Sequence, residues 1–209
     1  MTTGIWILGD QLHLKQAALQ SCNGTSQVSI ILIESYSHIK ERRYHKQKLV
    51  LIWSAMRHFA EELRQLGYSV TYKVAEDFQT PLIDWVNSHQ ITELRVMTPN
   101  DKPFLKTIED LNLPCDITKI PNNQFVWSGE EFNNWAKNRK RLLMEDFYRQ
   151  GRRRFDILME ADKPVGGKWN LDKENRKPPK GNLNTPDAKW FEADEITLEV
   201  IQQVNSLDI

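Results

Sequence analysis

The first residues whose types suit chemistry are a glycine, a carboxylate and an amide near the start of the chain. Residues 4–8, "GIWIL", predict a short strand, and Gly9, Asp10 and Gln11 come directly after it. Glycine allows a tight backbone turn, so Asp10 and Gln11 would present hydrogen-bonding groups at the edge of a sheet. Such groups can orient a polar ligand.

Two other apolar runs also end in polar residues. The β-branched run 28–33, "VSIILI", leads into Glu34, and the run 93–98 leads into "TPNDKP" at 98–103. In an open parallel sheet, ligands bind beyond the carboxyl ends of the strands, where the strand order reverses. The three exits are therefore expected to converge, and a polar turn with no ligand role is the alternative for each of them.

Several kinds of site are excluded because their motifs are missing from the sequence. The chain has neither the G-x-G-x-x-G pattern of a dinucleotide site nor the G-x-x-x-x-G-K-[ST] phosphate loop. No histidine has a Ser or Cys partner at a recognisable spacing, so each is interpreted as a surface or capping residue. Cys22 and Cys115 do not have the spacing of metal ligands. The sequence thus assigns no catalytic residue and no metal site.

The elements that must position these residues alternate between strands and helices. This alternation predicts an α/β fold with a Rossmann-like, doubly wound sheet of five parallel strands and a C-terminal helical and loop extension. Candidate strands cover 4–8, 28–33, 69–74, 93–98 and 115–120, and helical patterns cover 47–66, 80–88 and 101–112. The expected domains are 1–125 for the α/β domain, 126–160 for basic helices packed on it, and 161–209 for a linker-like loop with a short terminal helix.

The composition is that of an ordinary soluble globular protein, with 40% hydrophobic and 27% charged residues. No apolar run reaches the roughly 18 residues that a membrane span requires. The start of the chain lacks the cationic region and long apolar stretch of a signal peptide. These features predict a cytoplasmic protein without membrane association, whose two cysteines stay reduced.

The net charge of zero hides a basic block beside an acidic end. Residues 137–182 hold 14 Lys and Arg against 7 Asp and Glu, whereas residues 183–209 hold 1 against 6. Arg152, Arg153 and Arg154 lie among aromatic residues in the basic block, an arrangement that can face a nucleic-acid phosphate backbone. The alternatives are a solvated helix face or a face that pairs with an acidic partner.

The basic block contains a string that no fold requirement predicts, "GGKWNLDKENRKP" at 166–178. With this string, the chain resembles the amino-terminal part of the deoxyribodipyrimidine photolyase-related proteins, the iron–sulfur bacterial photolyases and cryptochromes. The resemblance covers essentially the whole chain. It is also carried by "LGDQL" after the first strand, by "HKQKLVLIWSAMRHFAEELRQLGYSVTY" and by "RKRLLMEDFYRQGRRRFDILME".

The resemblance implies a Rossmann-like domain that can hold the antenna chromophore 6,7-dimethyl-8-ribityllumazine. It also implies a carboxyl-terminal helical domain with FAD, a 4Fe-4S cluster and a pocket for the DNA lesion, which is expected to lie outside these 209 residues. On this comparison the chain is a light-harvesting module linked to DNA photorepair or blue-light sensing, without repair activity of its own. Its expected partners are a C-terminal photolyase domain on another chain and DNA.

The resemblance further implies two sets of binding residues. Replacing Asp10 and Glu34 together by Ala is expected to remove chromophore absorbance and leave thermal stability nearly unchanged. Cofactor contacts are expected from Gly9, Asp10, Gln11 and Leu12 at the first strand exit, from Glu34 and Tyr36 at the second, and from His45 and Lys48 at the next helix. Nucleic-acid or interdomain contacts are expected from Arg152, Arg153, Arg154, Trp169, Asn170, Asp172, Asn175 and Arg176.

Two other functions stay open on the sequence alone. One is a nucleic-acid-binding or regulatory protein that uses the basic block 137–182, and DNA binding that depends on salt and on the charges of Arg152–Arg154 would distinguish it. The other is a free-standing small-molecule enzyme on the sheet. The lack of a phosphate loop and of a catalytic pair argues against that enzyme.

Overall fold

The chain divides by its contacts into two compact units. The first consists of Met1–Ser128 with Glu192–Ile209, and the second of Gly129–Phe191. The computed structural model describes residues 2–22, 24, 28–42, 44–178, 181 and 185–208. Pro179, Lys180 and Asn182, at the end of the basic block, lie outside the described residues.

The first unit is built on a sheet of five parallel strands. These are β1 (Thr3–Trp6), β2 (Val28–Ser35), β3 (Ser69–Ala75), β4 (Glu93–Met97) and β5 (Asp116–Ile120). Their order is β3-β2-β1-β4-β5, so the chain moves outward from β1 to β3 and then returns to place β4 beside β1. This order confirms the predicted doubly wound α/β fold. The order reverses between β1 and β4, where ligands bind in such sheets.

Helices cover both faces of this sheet. In the first unit they are α1 (Ala17–Gln20), α2 (Tyr36–Glu41), α3 (Lys46–Gln65), α4 (Gln79–Ser88) and α5 (Lys102–Glu109). The second unit holds α6 (Gly129–Ala136), α7 (Met144–Phe155) and α8 (Asp172–Asn175), and α9 (Glu195–Ser206) returns to the first. The helical patterns in the sequence correspond to α3, α4 and α5. The short helices α1 and α2 contain too few turns to produce a hydrophobic period.

The core lies in two layers because successive strand residues point to opposite faces. Ile5 and Ile30 face α3, where Trp53 and Phe59 are buried. Trp6 on β1, Leu8 just after β1, and Ile31 and Ile33 on β2 face the other way. Leu82 and Trp85 of α4 and Ile108 of α5 are buried on that side. Trp6, Trp53 and Trp85 occupy apolar positions of regular elements in the sequence, and each is at most 4% exposed in the core.

Helix α9 packs against α3 as part of the α/β unit. Its residues Val200 and Val204 are fully buried in the same core layer as α3. Beyond its end, Lys46 Nζ donates a hydrogen bond to the carbonyl of Leu207 at 3.2 Å. The sequence analysis groups this helix with the preceding loop. Its partners on α3 lie more than 130 residues earlier in the chain, so local sequence patterns do not reveal the contact.

An ion pair joins the start of α9 to α3. His58 Nε2 lies 2.5 Å from Asp194 Oδ2, and His58 Nδ1 lies 2.7 Å from the carbonyl oxygen of Ser54. The Asp194 hydrogen bond, followed by the Ser54 carbonyl, raises the pKa of His58 above its ordinary 6.5. Hydrogen bonds from Thr197 and then from His58 lower the pKa of Asp194 to about 2.

These pKa shifts predict a pH window for the docking of α9. The contribution of His58 is complete below 6.5 and is lost as the pH rises through its raised folded pKa. The contribution of Asp194 is present above 3.8 and is lost as the pH falls through about 2. The variant Asp194→Asn keeps a capping side chain but removes the charge. We expect the difference in melting temperature between wild type and this variant to be larger near pH 5.5 than near pH 9. A difference that is equal at the two pH values would contradict this ion-pair role.

The second unit contains helices and a small hairpin. The hairpin pairs β6 (Met159–Glu160) with β7 (Lys163–Pro164) in antiparallel fashion, and a 3-10 turn at Val165–Gly167 follows it. The sequence pattern over 141–160 allows one or two helices, and the structure forms a single one, α7. The sequence predicts a loop in the first half of the region 161–209, and the structure forms β7, the 3-10 turn and the short helix α8 there.

Within the described part of the chain, no helix is both long and apolar enough to cross a membrane.

Candidate functional site

A cavity of about 240 Å³ lies in the first unit beside the carboxyl end of β1. The elements around it are the exits of β1 and β2, the helices α2 and α3, and the start of α5. This is the end of the sheet at which ligands bind in doubly wound folds. We call it the aromatic cavity after its walls, which include Trp6, His38, Tyr44, Trp53, Phe78 and Phe104.

The rings of this cavity contact one another as well as the core. The centroid of His38 lies 5.2 Å from that of Phe104 and 5.6 Å from that of Phe78. Trp6 lies 5.3 Å from Phe78. Centroid separations of this size are typical of favourable aromatic pairs, so the walls hold one another in place. A cavity with such walls suits a flat, apolar-faced ligand.

Gly9 keeps space free at the inner side of the cavity. A Cβ atom at this position would lie 2.9 Å from Met56 Sδ and 3.3 Å from Ile52 Cγ2 on α3. Gly9 does lie in a tight turn, as expected, since the backbone N–H of Gln11 donates to the carbonyl of Leu8 at 3.0 Å. Its φ angle does not lie in the left-handed region, so the glycine is required there by space and not by backbone conformation. Glycine lets α3 approach the end of β1.

Polar groups on the cavity lining are few, as in most small-molecule sites. They include Asp10, Lys48 and Asp101. Asp101 Oδ2 is bound to Arg42 Nη2 at 3.0 Å. Partial desolvation by the cavity walls and, to a smaller extent, the charge of Asp101 raise the pKa of Asp10, although the residue is exposed at the cavity mouth. Asp10 is thus a carboxylate placed where a hydrogen-bond donor or a cation would stabilise its charge.

His38 is the histidine of this cavity. Burial among the aromatic walls lowers its pKa from the ordinary 6.5, so the imidazole is neutral at neutral pH. A neutral imidazole offers one donor and one acceptor together with a flat face. The sequence predicts a surface or capping role for His38, and this is wrong because α2 turns the ring inward against Phe78 and Phe104.

Three of the eight predicted cofactor contacts line the aromatic cavity, namely Gly9, Asp10 and Lys48. Glu34 lies on the opposite face of β2 from Ile33 and Ser35. Its side chain is 0% exposed and accepts hydrogen bonds from Arg57, Tyr72 and Gln203. Glu34 therefore belongs to a buried network and does not line the aromatic cavity.

The remaining predicted contacts have partners elsewhere in the first unit. Gln11 is fully buried, and its Nε2 donates to the carbonyl of Met97 at 2.9 Å. The hydroxyl of Tyr36 accepts a hydrogen bond from Gln203 at 3.2 Å. His45 is the N-cap of α3, and Leu12 packs on the core. These residues support the cavity's surroundings and do not line it.

Of the eight predicted nucleic-acid or interdomain residues, five lie together in the second unit, namely Trp169 and four residues near its ring. The guanidinium groups of Arg149, Arg152 and Arg153 lie 5.3, 5.5 and 4.7 Å from the centre of Trp169. Asn170 donates to Glu145 Oε2 at 2.9 Å. The predicted residues that share this neighbourhood are Arg152, Arg153, Trp169, Asn170 and Asp172. Arg154 instead pairs with Glu131, and Asn175 and Arg176 follow at the end of α8.

Comparison with known proteins decides the family. The family model of deoxyribodipyrimidine photolyase-related proteins matches residues 5–209. The chain belongs to this family. The match includes both the strand exit at Gly9–Asp10 and the Trp169 region, so both lie within the photolyase-related sequence.

Two curated relatives of this photolyase-related chain differ in how much of their length it covers. It is similar to a (6-4) photolyase of Agrobacterium fabrum, with 37% identity over 99% of the chain and 42% of that protein. It is also similar to the uncharacterized protein R852 of Acanthamoeba polyphaga mimivirus, with 25% identity over 64% of the chain and 72% of that protein. The chain thus spans less than half the length of the (6-4) photolyase.

Arg152 of this photolyase-related chain has a structural role. It is 7% exposed, and its Nε donates to the carbonyl of Ile157 at 3.0 Å, while its Nη2 donates to that of Leu158. Asp156 and Leu158 both have φ angles of 51°, which cost non-glycine residues roughly 1–2 kcal/mol each. The guanidinium fork therefore holds a strained turn closed after α7.

Replacing Arg152 is expected to open this turn. Arg152→Lys keeps the charge but loses the planar fork, so we expect proteolysis within 156–161 to become at least about ten-fold faster. Arg153→Lys is the matched control, since Arg153 is exposed, and it should cleave at the wild-type rate. Equal cleavage of the two variants would contradict the structural role of Arg152.

Proposed function

We propose that this chain is the antenna-type module of a photolyase-related protein linked to DNA photorepair or blue-light sensing. The aromatic cavity would bind a flat chromophore, 6,7-dimethyl-8-ribityllumazine. The observation that carries this proposal is a ring-walled cavity with a carboxylate and an ammonium group on its lining, at the ligand-binding end of the sheet.

The residues present fit such a ligand. Aromatic side chains provide flat walls, and Gly9 leaves the inner side free of a side chain. The volume of about 240 Å³ lies just below the roughly 300–1,000 Å³ of sites for drug-sized molecules. It therefore suits a two-ring system whose flexible ribityl chain extends toward solvent.

Three side chains supply the polar recognition in this proposal. Asp10 accepts a hydrogen bond from a ring N–H. Its pKa is raised, so binding weakens as the pH falls and the carboxylate becomes protonated. Lys48, in the first turn of α3, donates to a carbonyl or hydroxyl oxygen, and the positive end of the α3 dipole acts in the same direction. Neutral His38 packs on the ring and adds a donor or an acceptor.

A lumazine held there would absorb blue light and supply excitation energy to FAD. We propose that the FAD and the 4Fe-4S cluster belong to a carboxyl-terminal photolyase domain, on another chain or on a longer form of this one. A four-iron cluster requires four cysteine ligands, and these 209 residues contain two cysteines, so they do not fit that group. The (6-4) photolyase relative, of which the chain spans 42%, supports this assignment.

Titration of the purified chain with 6,7-dimethyl-8-ribityllumazine tests this function. We expect a saturable change in lumazine fluorescence with one equivalent bound per chain. Asp10→Ala is expected to weaken this binding about ten-fold or more, the value of one hydrogen bond to a charged group. If the lumazine fluorescence equals that of free lumazine at every protein concentration, the proposal is overturned.

A further inference from the structure

The second unit, Gly129–Phe191, exposes its apolar side chains. Among its described residues the buried positions are Gly151, Arg152 and Pro164, so no large apolar side chain is buried there. Met144 is 76% exposed and Leu158 is 65% exposed. Soluble proteins rarely leave such groups together at the surface unless they bind a partner.

Several of these side chains line one open groove of about 770 Å³. We call it the basic groove, because Arg152 and Lys168 line it together with the apolar groups. A smaller cavity next to it shares Lys168 and Trp169 and adds Arg149 and Lys173. The apolar lining consists of Met144, Tyr148, Leu158, Val165, Trp169 and Leu171.

The basic groove and the smaller cavity next to it together hold four cations, Arg149, Arg152, Lys168 and Lys173, against two carboxylates, Glu145 and Asp172. Glu145 is bound by Arg149 at 2.9 Å and by Asn170 at 2.9 Å. The Asn170 bond, followed by Arg149, lowers the pKa of Glu145. Asp172 is the first residue of α8. The groove therefore suits an occupant with aromatic side chains and negative charge.

A segment of the same chain has these properties. Trp190 and Phe191 are 90% and 87% exposed, in a stretch without regular secondary structure that precedes α9. Asp187 and Glu192 flank the two rings, with Lys189 as the single cation among them. We call residues 187–192 the aromatic segment. It does not line the basic groove of its own molecule.

We infer that the basic groove binds the aromatic segment of a second copy of this chain. The groove and the segment are complementary in charge, and both are exposed on each molecule. If each copy inserts its segment into the other, the two contacts are related by a two-fold axis and the assembly closes as a dimer. This inference does not depend on the aromatic cavity or its chromophore.

The contact is large enough for a stable pair. Two aromatic side chains bury roughly 300–500 Å² between them, and the groove buries a similar area. Two reciprocal contacts then total roughly 1,200–2,000 Å², the usual size of a specific protein interface. Aromatic anchors in a desolvated groove carry most of the binding energy, so the dimer should depend on Trp190 and Phe191.

Sedimentation equilibrium of the chain and two double variants tests the inference. Wild type is expected to dimerise with rising concentration. Trp190→Ala/Phe191→Ala removes the anchors. Lys168→Glu/Lys173→Glu reverses one charge in the groove and one in the smaller cavity next to it. Each double variant should raise the dissociation constant at least about thirty-fold. An equimolar mixture of the two variants retains one intact segment and one intact groove, and it should form a heterodimer. All of the replaced side chains are exposed, and unchanged circular dichroism confirms that each variant is folded.

Three outcomes would overturn this inference. Wild type that stays monomeric at all concentrations shows that no second copy binds. A mixture that fails to associate, while wild type dimerises, shows that the dimer uses another surface. Monomeric wild type that binds single-stranded or duplex DNA, with salt dependence lost in Lys168→Glu/Lys173→Glu, assigns the basic groove to nucleic acid.

Discussion

Glu34→Ala is expected to lower the free energy of unfolding by about 3–5 kcal/mol, the cost of breaking a buried ion pair by removing one partner. Arg57 binds both carboxylate oxygens of Glu34, with Nε at 2.9 Å and Nη2 at 3.1 Å. Tyr72 donates to the same carboxylate at 2.5 Å, and Gln203 at 2.9 Å. Without Glu34, Tyr72 loses its acceptor and Arg57 loses its buried ionic partner. Gln203 loses one of its two acceptors and keeps the Tyr36 hydroxyl.

The pKa directions agree with this network. Burial disfavours the charge of Arg57, but the hydrogen bonds and the charge of Glu34 outweigh it and raise the pKa of Arg57. Burial and then the Glu34 carboxylate raise the pKa of Tyr72. Glu34 thus joins β2 and β3 to α3 and α9. This reverses the expectation that replacing Asp10 and Glu34 together leaves stability nearly unchanged.

Urea unfolding followed by circular dichroism measures the effect of Glu34→Ala. Glu76→Ala is a matched control, since Glu76 also pairs with a cation, Lys40, but is 62% exposed. The control is expected to cost at most about 1 kcal/mol, as surface ion pairs do. Equal losses in the two variants would show that the Glu34 network does not hold the helices to the sheet.

His38→Trp is expected to weaken lumazine binding at least about a hundred-fold, or roughly 2.7 kcal/mol. The His38 ring already contacts Phe104 and Phe78 on the wall of the aromatic cavity. A larger indole at this position extends into the 240 Å³ that the ligand would use. It keeps an aromatic face for the neighbouring rings, so the fold should persist.

Lys40→Trp is the matched control for filling the cavity with an indole, because Lys40 lies on the same helix with its side chain 57% exposed. It introduces the same ring outside the cavity, and its lumazine affinity should equal that of wild type. Fluorescence titration of both variants, with melting temperatures recorded for each, makes the comparison. Full affinity in His38→Trp would place the chromophore elsewhere.

The sheet and its core could be predicted because they follow from local periodicity. The β-branched run that forms β2 and the helical spacing of α3 each identify an element without knowledge of its neighbours. The strand exits also indicated the end of the sheet where Asp10 lines the aromatic cavity. The rest of that cavity comes from several separate elements, and spacing along the chain does not show that His38, Phe78 and Phe104 meet.

Glu34 and Arg152 show what the sequence pattern leaves undecided. Glu34 and Asp10 each follow an apolar run. The alternation of side chains along β2 directs Glu34 to the face of the sheet that α3 covers, where it pairs with Arg57. Arg152, Arg153 and Arg154 are consecutive residues of one type, so the sequence alone does not show which of them is buried. The rotation of about 100° per residue along α7 buries the first of them and leaves the second exposed.

The central claim is that the aromatic cavity is a chromophore site, and the most direct measurement uses the protein isolated from its native host. Its absorption spectrum is recorded, and any molecule released on denaturation is identified by mass spectrometry. We expect a band at the blue edge of the visible spectrum and the mass of 6,7-dimethyl-8-ribityllumazine. A colourless protein that also fails to take up added lumazine would contradict the account.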